Sequence, residues 1–227
     1  MRTRSPAPFF HPMTTQRAIT LLAGVAAWAC NGDTTQPRPP SDLLKTGGDA
    51  QSWYFNNPLP VPLSVIAVDP GGQPVAGVVV TWTPTSGAVS PAQSTTNANG
   101  IASTIDSLGS STVQTVSASF TGLANAATFT EVASAPPAAV GVSVNNTFFA
   151  PRDTAVQTGG TVTWTWNSGT TRHDVTYLTA PGALPTSSTT HDASGPTFST
   201  TFTTIGRYTY HCTQHPTLMT GSVTVVH

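Results

Sequence analysis

Apolar and polar residues alternate along most of this chain in runs too short for helices. At 63–68 the run Leu-Ser-Val-Ile-Ala-Val leads into the turn Asp69-Pro70-Gly71-Gly72, and Val78-Val79-Val80-Thr81-Trp82 follows. Further runs occupy 101–105, 113–120 and 127–132. Short strands at even spacing, divided by Gly, Pro and Asn, predict a sandwich of two antiparallel sheets over 44–133. A second set opens at Val140-Gly141-Val142-Ser143-Val144, whose valines share a face. After Phe148, Phe149 and the turn Thr158-Gly159-Gly160 comes the run 161–166, in which Val162, Trp164 and Trp166 point one way. Asn167-Ser168-Gly169-Thr170 breaks that strand, 180–196 reads as loop, and 198–202 and 206–212 return to alternation. In the last run Tyr208, Tyr210 and Cys212 face the core while Arg207, Thr209 and His211 face outward. The fold class expected is all-β, with two Greek-key β-sandwich domains in tandem over 44–133 and 139–227.

The breakers fix the organisation. Ser134-Ala135-Pro136-Pro137-Ala138 is the joint between the two sets, and 30–43, with three prolines among residues 31–41, is an extended tether. Ahead of it, Arg17 precedes an apolar run at 18–29, the charged and hydrophobic parts of a secretory leader over 1–29. That run is too short to span a bilayer comfortably. Met13 serves as a start as well as Met1 does, since the residues before it add nothing a leader needs. Ala29 directly before Cys30 resembles the cleavage box of bacterial lipoproteins, in which the cysteine becomes the acylated amino terminus. Ala27 and Trp28 depart from that box, where leucine and a small residue are usual. Two routes therefore stay open, lipidation at Cys30 and ordinary secretory cleavage. The first implies an exported, membrane-anchored lipoprotein facing the periplasm or the cell exterior.

Composition narrows the partners. Only 7% of the residues are charged, the net charge is −1, and there is one glutamate. No basic stripe exists to hold a phosphate backbone, which excludes nucleic acid. The chain has two cysteines. With Cys30 in the leader's cleavage box, Cys212 is left as a lone thiol in an exported protein, and a lone thiol there needs a reason to persist. Cys212 stands in Tyr210-His211-Cys212-Thr213-Gln214-His215-Pro216-Thr217-Leu218-Met219, and His173 follows the break after 161–166. His173, Cys212, His215 and Met219 offer two imidazoles, a thiolate and a thioether, the donor set that selects copper in an electron-transfer site.

Two resemblances attach to these residues. Leu59-Pro60-Val61-Pro62-Leu63, the run from Asp69 to Val78 and the turn Thr96-Asn97-Ala98-Asn99-Gly100-Ile101-Ala102 resemble the bacterial immunoglobulin-like domains of invasin and intimin type proteins. The family implies a spacer or an adhesive surface. Gly160-Thr161-Val162-Thr163-Trp164, Arg172-His173-Asp174-Val175 and the stretch from Tyr208 to Val225 resemble a cupredoxin of the plastocyanin, amicyanin and azurin kind, over 139–227. That resemblance implies one type 1 copper per chain, and electron exit past an exposed edge of His215 beside Pro216 and Leu218. Three residues separate His215 from Met219, where many amicyanin-like proteins have two.

The remaining histidines weigh against enzymes. Apart from the ligand pair and those near the chain ends, only His191 and His211 are left. A multicopper oxidase or a copper nitrite reductase needs more imidazoles, and a binuclear purple site needs a second cysteine beside Cys212. His211 and His191 are expected at the surface, Asp174 is a candidate support for His173, and Trp164 and Trp166 belong to the core. The expected function is a non-enzymatic one-electron carrier between extracytoplasmic redox partners. An adhesion protein with a structural copper domain and a copper-handling protein are the alternatives.

Overall fold

The computed structural model describes residues 38–192 and 194–227, so Cys30, the leader and most of the tether lie outside the described residues. Among the described residues there is no helix. The first domain has nine strands: β1 (Asp42–Gly47), β2 (Ser52–Tyr54), β3 (Leu63–Val68), β4 (Val79–Pro84), β5 (Ala88–Ser90), β6 (Gln93–Thr95), β7 (Ile101–Ser107), β8 (Val113–Ser119) and β9 (Ala127–Ser134). They form two sheets, in the orders β1-β3-β7-β5 and β2-β9-β8-β4-β6. Leu63, Val65 and Ala102 from one sheet pack with Val80, Val116, Ala118 and Phe129 from the other, as period-2 alternation requires. β1 begins inside the stretch expected as tether. The reason is Leu43, a single buried apolar residue among exposed ones, held by pairing of β1 with β3. The ladders are antiparallel except that β2 runs parallel to β9.

The second domain has eight strands: β10 (Ala139–Val144), β11 (Phe149–Ala150), β12 (Asp153–Gln157), β13 (Thr161–Trp166), β14 (Thr176–Thr179), β15 (Thr197–Thr201), β16 (Gly206–His211) and β17 (Thr220–Val226). The sheet orders are β11-β10-β13-β15 and β12-β17-β16-β14. β10 pairs parallel with β13, and β12 parallel with β17. Val162, Trp164, Trp166, Tyr208, Tyr210 and Cys212 all enter one core, on the faces that alternation assigned to them. Trp164 meets Tyr210 edge to face at 5.3 Å, and Phe149 meets the same ring at 4.9 Å.

Strand direction separates the two ends of this domain. β16 runs toward Cys212 and β17 runs away from Met219, so the loop between them closes one end. At the other end the Gln157 N–H donates to the Pro137 carbonyl of the joint at 2.9 Å, and the His227 N–H donates to Asn57 Oδ1 of the first domain at 2.9 Å. At ~3.3 Å per residue, β17 holds these ends roughly 20 Å apart.

Candidate metal centre

Cys212 and Met219 face each other because the β16–β17 ladder continues to them. Its register pairs Tyr210 with Gly221 and His211 with Thr220, and the next pair outward is Cys212 with Met219. The Cys212 N–H donates to the Met219 carbonyl at 3.0 Å, and both side chains are fully buried in the same core. Opposed residues of an antiparallel pair point to the same face, so ladder geometry orients both sulfur-bearing residues inward. The loop is then closed by local turns. His215 N–H donates to the Cys212 carbonyl at 3.1 Å, while Met219 N–H and Leu218 N–H donate to the His215 carbonyl at 2.9 and 3.2 Å.

His173 arrives from the break between β13 and β14. Its main chain is fixed twice by His191, since each residue's N–H donates to the other's carbonyl at 2.9 Å, and again by Trp166, whose Nε1 donates to the His173 carbonyl at 3.1 Å. His191 is therefore not a free surface residue. Its ring packs edge to face on Trp166 at 4.8 Å, and Thr189 Oγ1 lies 3.3 Å from its Nε2. His211 is half-buried on β16, opposite Thr176 and Thr220.

Asp174, a candidate support for His173, has its hydrogen bonds to Thr213 and Thr176. Its Oδ1 accepts the Thr213 N–H at 2.8 Å, its Oδ2 accepts the Thr213 hydroxyl, and Thr176 Oγ1 lies 3.3 Å from Oδ1. The register that sets Thr176 opposite His211, carried two residues further, sets Asp174 opposite Thr213. The carboxylate consequently clamps the loop after Cys212 to the segment bearing His173.

These elements bring three ligand atoms together. His173 Nδ1 is 3.5 Å and His215 Nδ1 3.9 Å from Cys212 Sγ, and all three atoms lie within 4.8 Å of one another. His173 and Cys212 are fully buried, whereas His215 is half-buried beside exposed Pro216 and Leu218. Burial holds the His173 imidazole below its ordinary range, nearby His215 adds to this, and Asp174 opposes it. The ring is thus kept in the neutral form that offers a lone pair.

The donors fit one ion. Ordinary bond lengths of ~2.0 Å to nitrogen and ~2.3 Å to sulfur turn N···S separations of 3.5 and 3.9 Å into angles of about 110° and about 130°, near tetrahedral and somewhat wider than trigonal. A thiolate with two imidazoles is copper's donor set among first-row metals when a thioether completes it. Met219, the candidate thioether, is fully buried in the same core and its carbonyl accepts the Cys212 N–H.

Comparison with known proteins gives matches over both domains. Residues 56–132 match the family model of the bacterial Ig-like domain (group 1), and residues 137–226 that of copper binding proteins of the plastocyanin/azurin family. Among solved structures, the chain is similar to a reduced amicyanin mutant, with 32% identity over 39% of this chain and 82% of that one, at a TM-score of 0.33. It is similar to a purple cupredoxin from Nitrosopumilus maritimus, with 26% identity over 38% of this chain and 99% of that one, at a TM-score of 0.34. A mutant fern plastocyanin shows 26% identity over 38% and 99% of the two chains, at a TM-score of 0.33. No curated protein matches the chain.

Proposed function

Given that this chain belongs, through residues 137–226, to the plastocyanin/azurin family of copper-binding proteins, with a bacterial immunoglobulin-like domain ahead of them, we propose that it carries single electrons between redox protein partners outside the cytoplasm. The convergence of His173 Nδ1, Cys212 Sγ and His215 Nδ1 carries this reading. One copper ion per chain would be held by these three atoms and by the thioether of Met219. Bound there, it would supply a Cu(I)/Cu(II) couple.

The chain's own part is to hold the donors still and dry. His173 is locked by His191 and Trp166, Cys212 by the ladder to Met219, and the intervening loop by Asp174. A scaffold fixed by main-chain bonds and a packed core changes little when charge at the site changes. Full burial of His173, Cys212 and Met219 excludes water, and half-buried His215 offers the approach for a partner. The proposed anchor is a lipid on Cys30, with the immunoglobulin-like domain as spacer. The site's position at the end remote from that domain suits the arrangement.

Addition of Cu(II) is expected to give an intense blue colour that dithionite removes and air restores, and Cys212→Ser is expected to abolish it. A colourless, redox-silent complex would assign copper handling instead, and absence of copper binding would leave adhesion. Mass spectrometry of the mature amino terminus tests the lipid.

A further inference from the structure

The chain's single glutamate lies in an apolar interior. Glu131 sits on the inward face of β9 between Phe129 and Ala133 and is fully buried. Asp106, on the inward face of β7 in the opposite sheet, is fully buried as well. No protein donor reaches either oxygen of Asp106 or Oε1 of Glu131, and only Glu131 Oε2 is held, by the Gln51 N–H at 2.8 Å.

The surroundings bring little compensating charge, the one cation that acts on Glu131 being Lys45. Lys45 on β1 is paired with Asp49, and Asp49 adds a further negative group toward Glu131. Gln114, beside Glu131 on β8, is committed to Gly109 and Ser111, and the Asn57 amide donates to the Phe55 carbonyl at 2.7 Å. β2, β3 and β5 carry no charged residue. A carboxylate buried without a donor or cation is much less stable than its protonated form. Burial accordingly pushes Asp106 up to about 6. It pushes Glu131 up to about 7, where the Gln51 N–H and, more weakly, Lys45 oppose the rise and Asp49 and Asp106 add to it.

The end of β7 that carries Asp106 is laced to the segment that meets the second domain. The Asp106 carbonyl accepts the Leu59 N–H at 2.8 Å, Leu108 N–H donates to the Asn57 carbonyl at 3.1 Å, and Asn56 N–H donates to the Leu108 carbonyl at 2.9 Å. Asn57 is the residue whose Oδ1 accepts the His227 N–H. We propose that Asp106 and Glu131 form a proton-binding site inside the immunoglobulin-like domain, and that loss of its protons loosens the joint to the copper-binding domain. The folded domain keeps protons that an unfolded chain releases. Its protonated stability is therefore complete below the ordinary carboxylate range, falls as pH climbs from about 4 toward 7, and is flat above.

The test uses the full chain and needs no bound metal. Carbon-detected NMR titration is expected to place both carboxyls well above the ordinary carboxylate range. Amide-exchange protection at Leu59, Leu108 and His227, corrected for intrinsic rates, is expected to fall at least ~tenfold between pH 5 and 8. Asp106→Asn with Glu131→Gln is expected to remove that fall. Both carboxyls titrating near 4 in the parent protein would overturn the site whether or not the variant folds. Shifted carboxyls with unchanged protection at His227 would overturn its link to the joint.

Discussion

At the residue beside His173, one carboxylate joins segments 39 positions apart in the chain. Asp174 is only 4% exposed whereas Thr213 is exposed, so removing the carboxylate leaves the Thr213 N–H and hydroxyl to water and takes away the tie between the two segments. A hydrogen bond whose donor water can take over contributes about 0.5–1.5 kcal/mol net. Asp174→Ala is expected to destabilise the metal-free protein by that amount in denaturant unfolding, while Asp174→Asn, which keeps an acceptor at Oδ1, loses less. Equal losses would show that charge rather than hydrogen bonding does the clamping, and no loss with alanine would remove the clamp altogether. The sequence placed Asp174 next to a ligand, and adjacency alone pointed to His173 as its partner. Choosing Thr213 depends on the β14–β16 register, a long-range fact that no local pattern carries. His191 escaped for the same reason, since its bridge to His173 is written only in the folded chain.

At the scale of elements, legibility followed apolar content. The strand 161–166 was readable because three large residues repeat every second position, and it matches β13. β12, an edge strand reading Asp-Thr-Ala-Val-Gln, buries fully only Val156 and gives alternation too little to show. β2, β5 and β6 are three residues each, shorter than a periodic pattern can reveal. Gly221 was visible within the motif but its role was not. It lies opposite Tyr210 in the β16–β17 ladder, and a Cβ there would fall 2.5 Å from the ring's Cζ and 2.6 Å from its hydroxyl. Tyr210 cannot retreat, being pinned between Trp164 and Phe149. Gly221→Ala is therefore an overpacking change worth about 1–3 kcal/mol, expected as a lowered thermal midpoint of the metal-free protein. An unchanged midpoint would show that β17 can slide away from the ring, and that Met219 is less rigidly placed than the ladder implies.

For the whole molecule, the prolines at 134–138 announced two domains, but not how tightly they are joined. The contact that answers this lies between residues 170 positions apart, beyond the reach of any sequence pattern. Asn57 is 3% exposed and meets the main chain of His227 twice, accepting its N–H at 2.9 Å and donating to its carbonyl at 3.5 Å. His227 directly follows β17, whose other end begins at the metal loop, so a single strand runs from this contact to the site. Within the first domain the Asn57 side chain makes one hydrogen bond, to the Phe55 carbonyl two residues away, and Asn57→Ala is expected to leave both sandwiches folded. What it removes is the restraint on their relative motion. The rotational correlation time from amide relaxation is expected to fall toward that of a single domain, with the spectrum of each domain's interior unchanged. A correlation time equal to the parent's would assign the coupling to the short joint at 134–138 and to the crevice where Trp53 and Tyr54 face Asp153, Thr154 and Thr224.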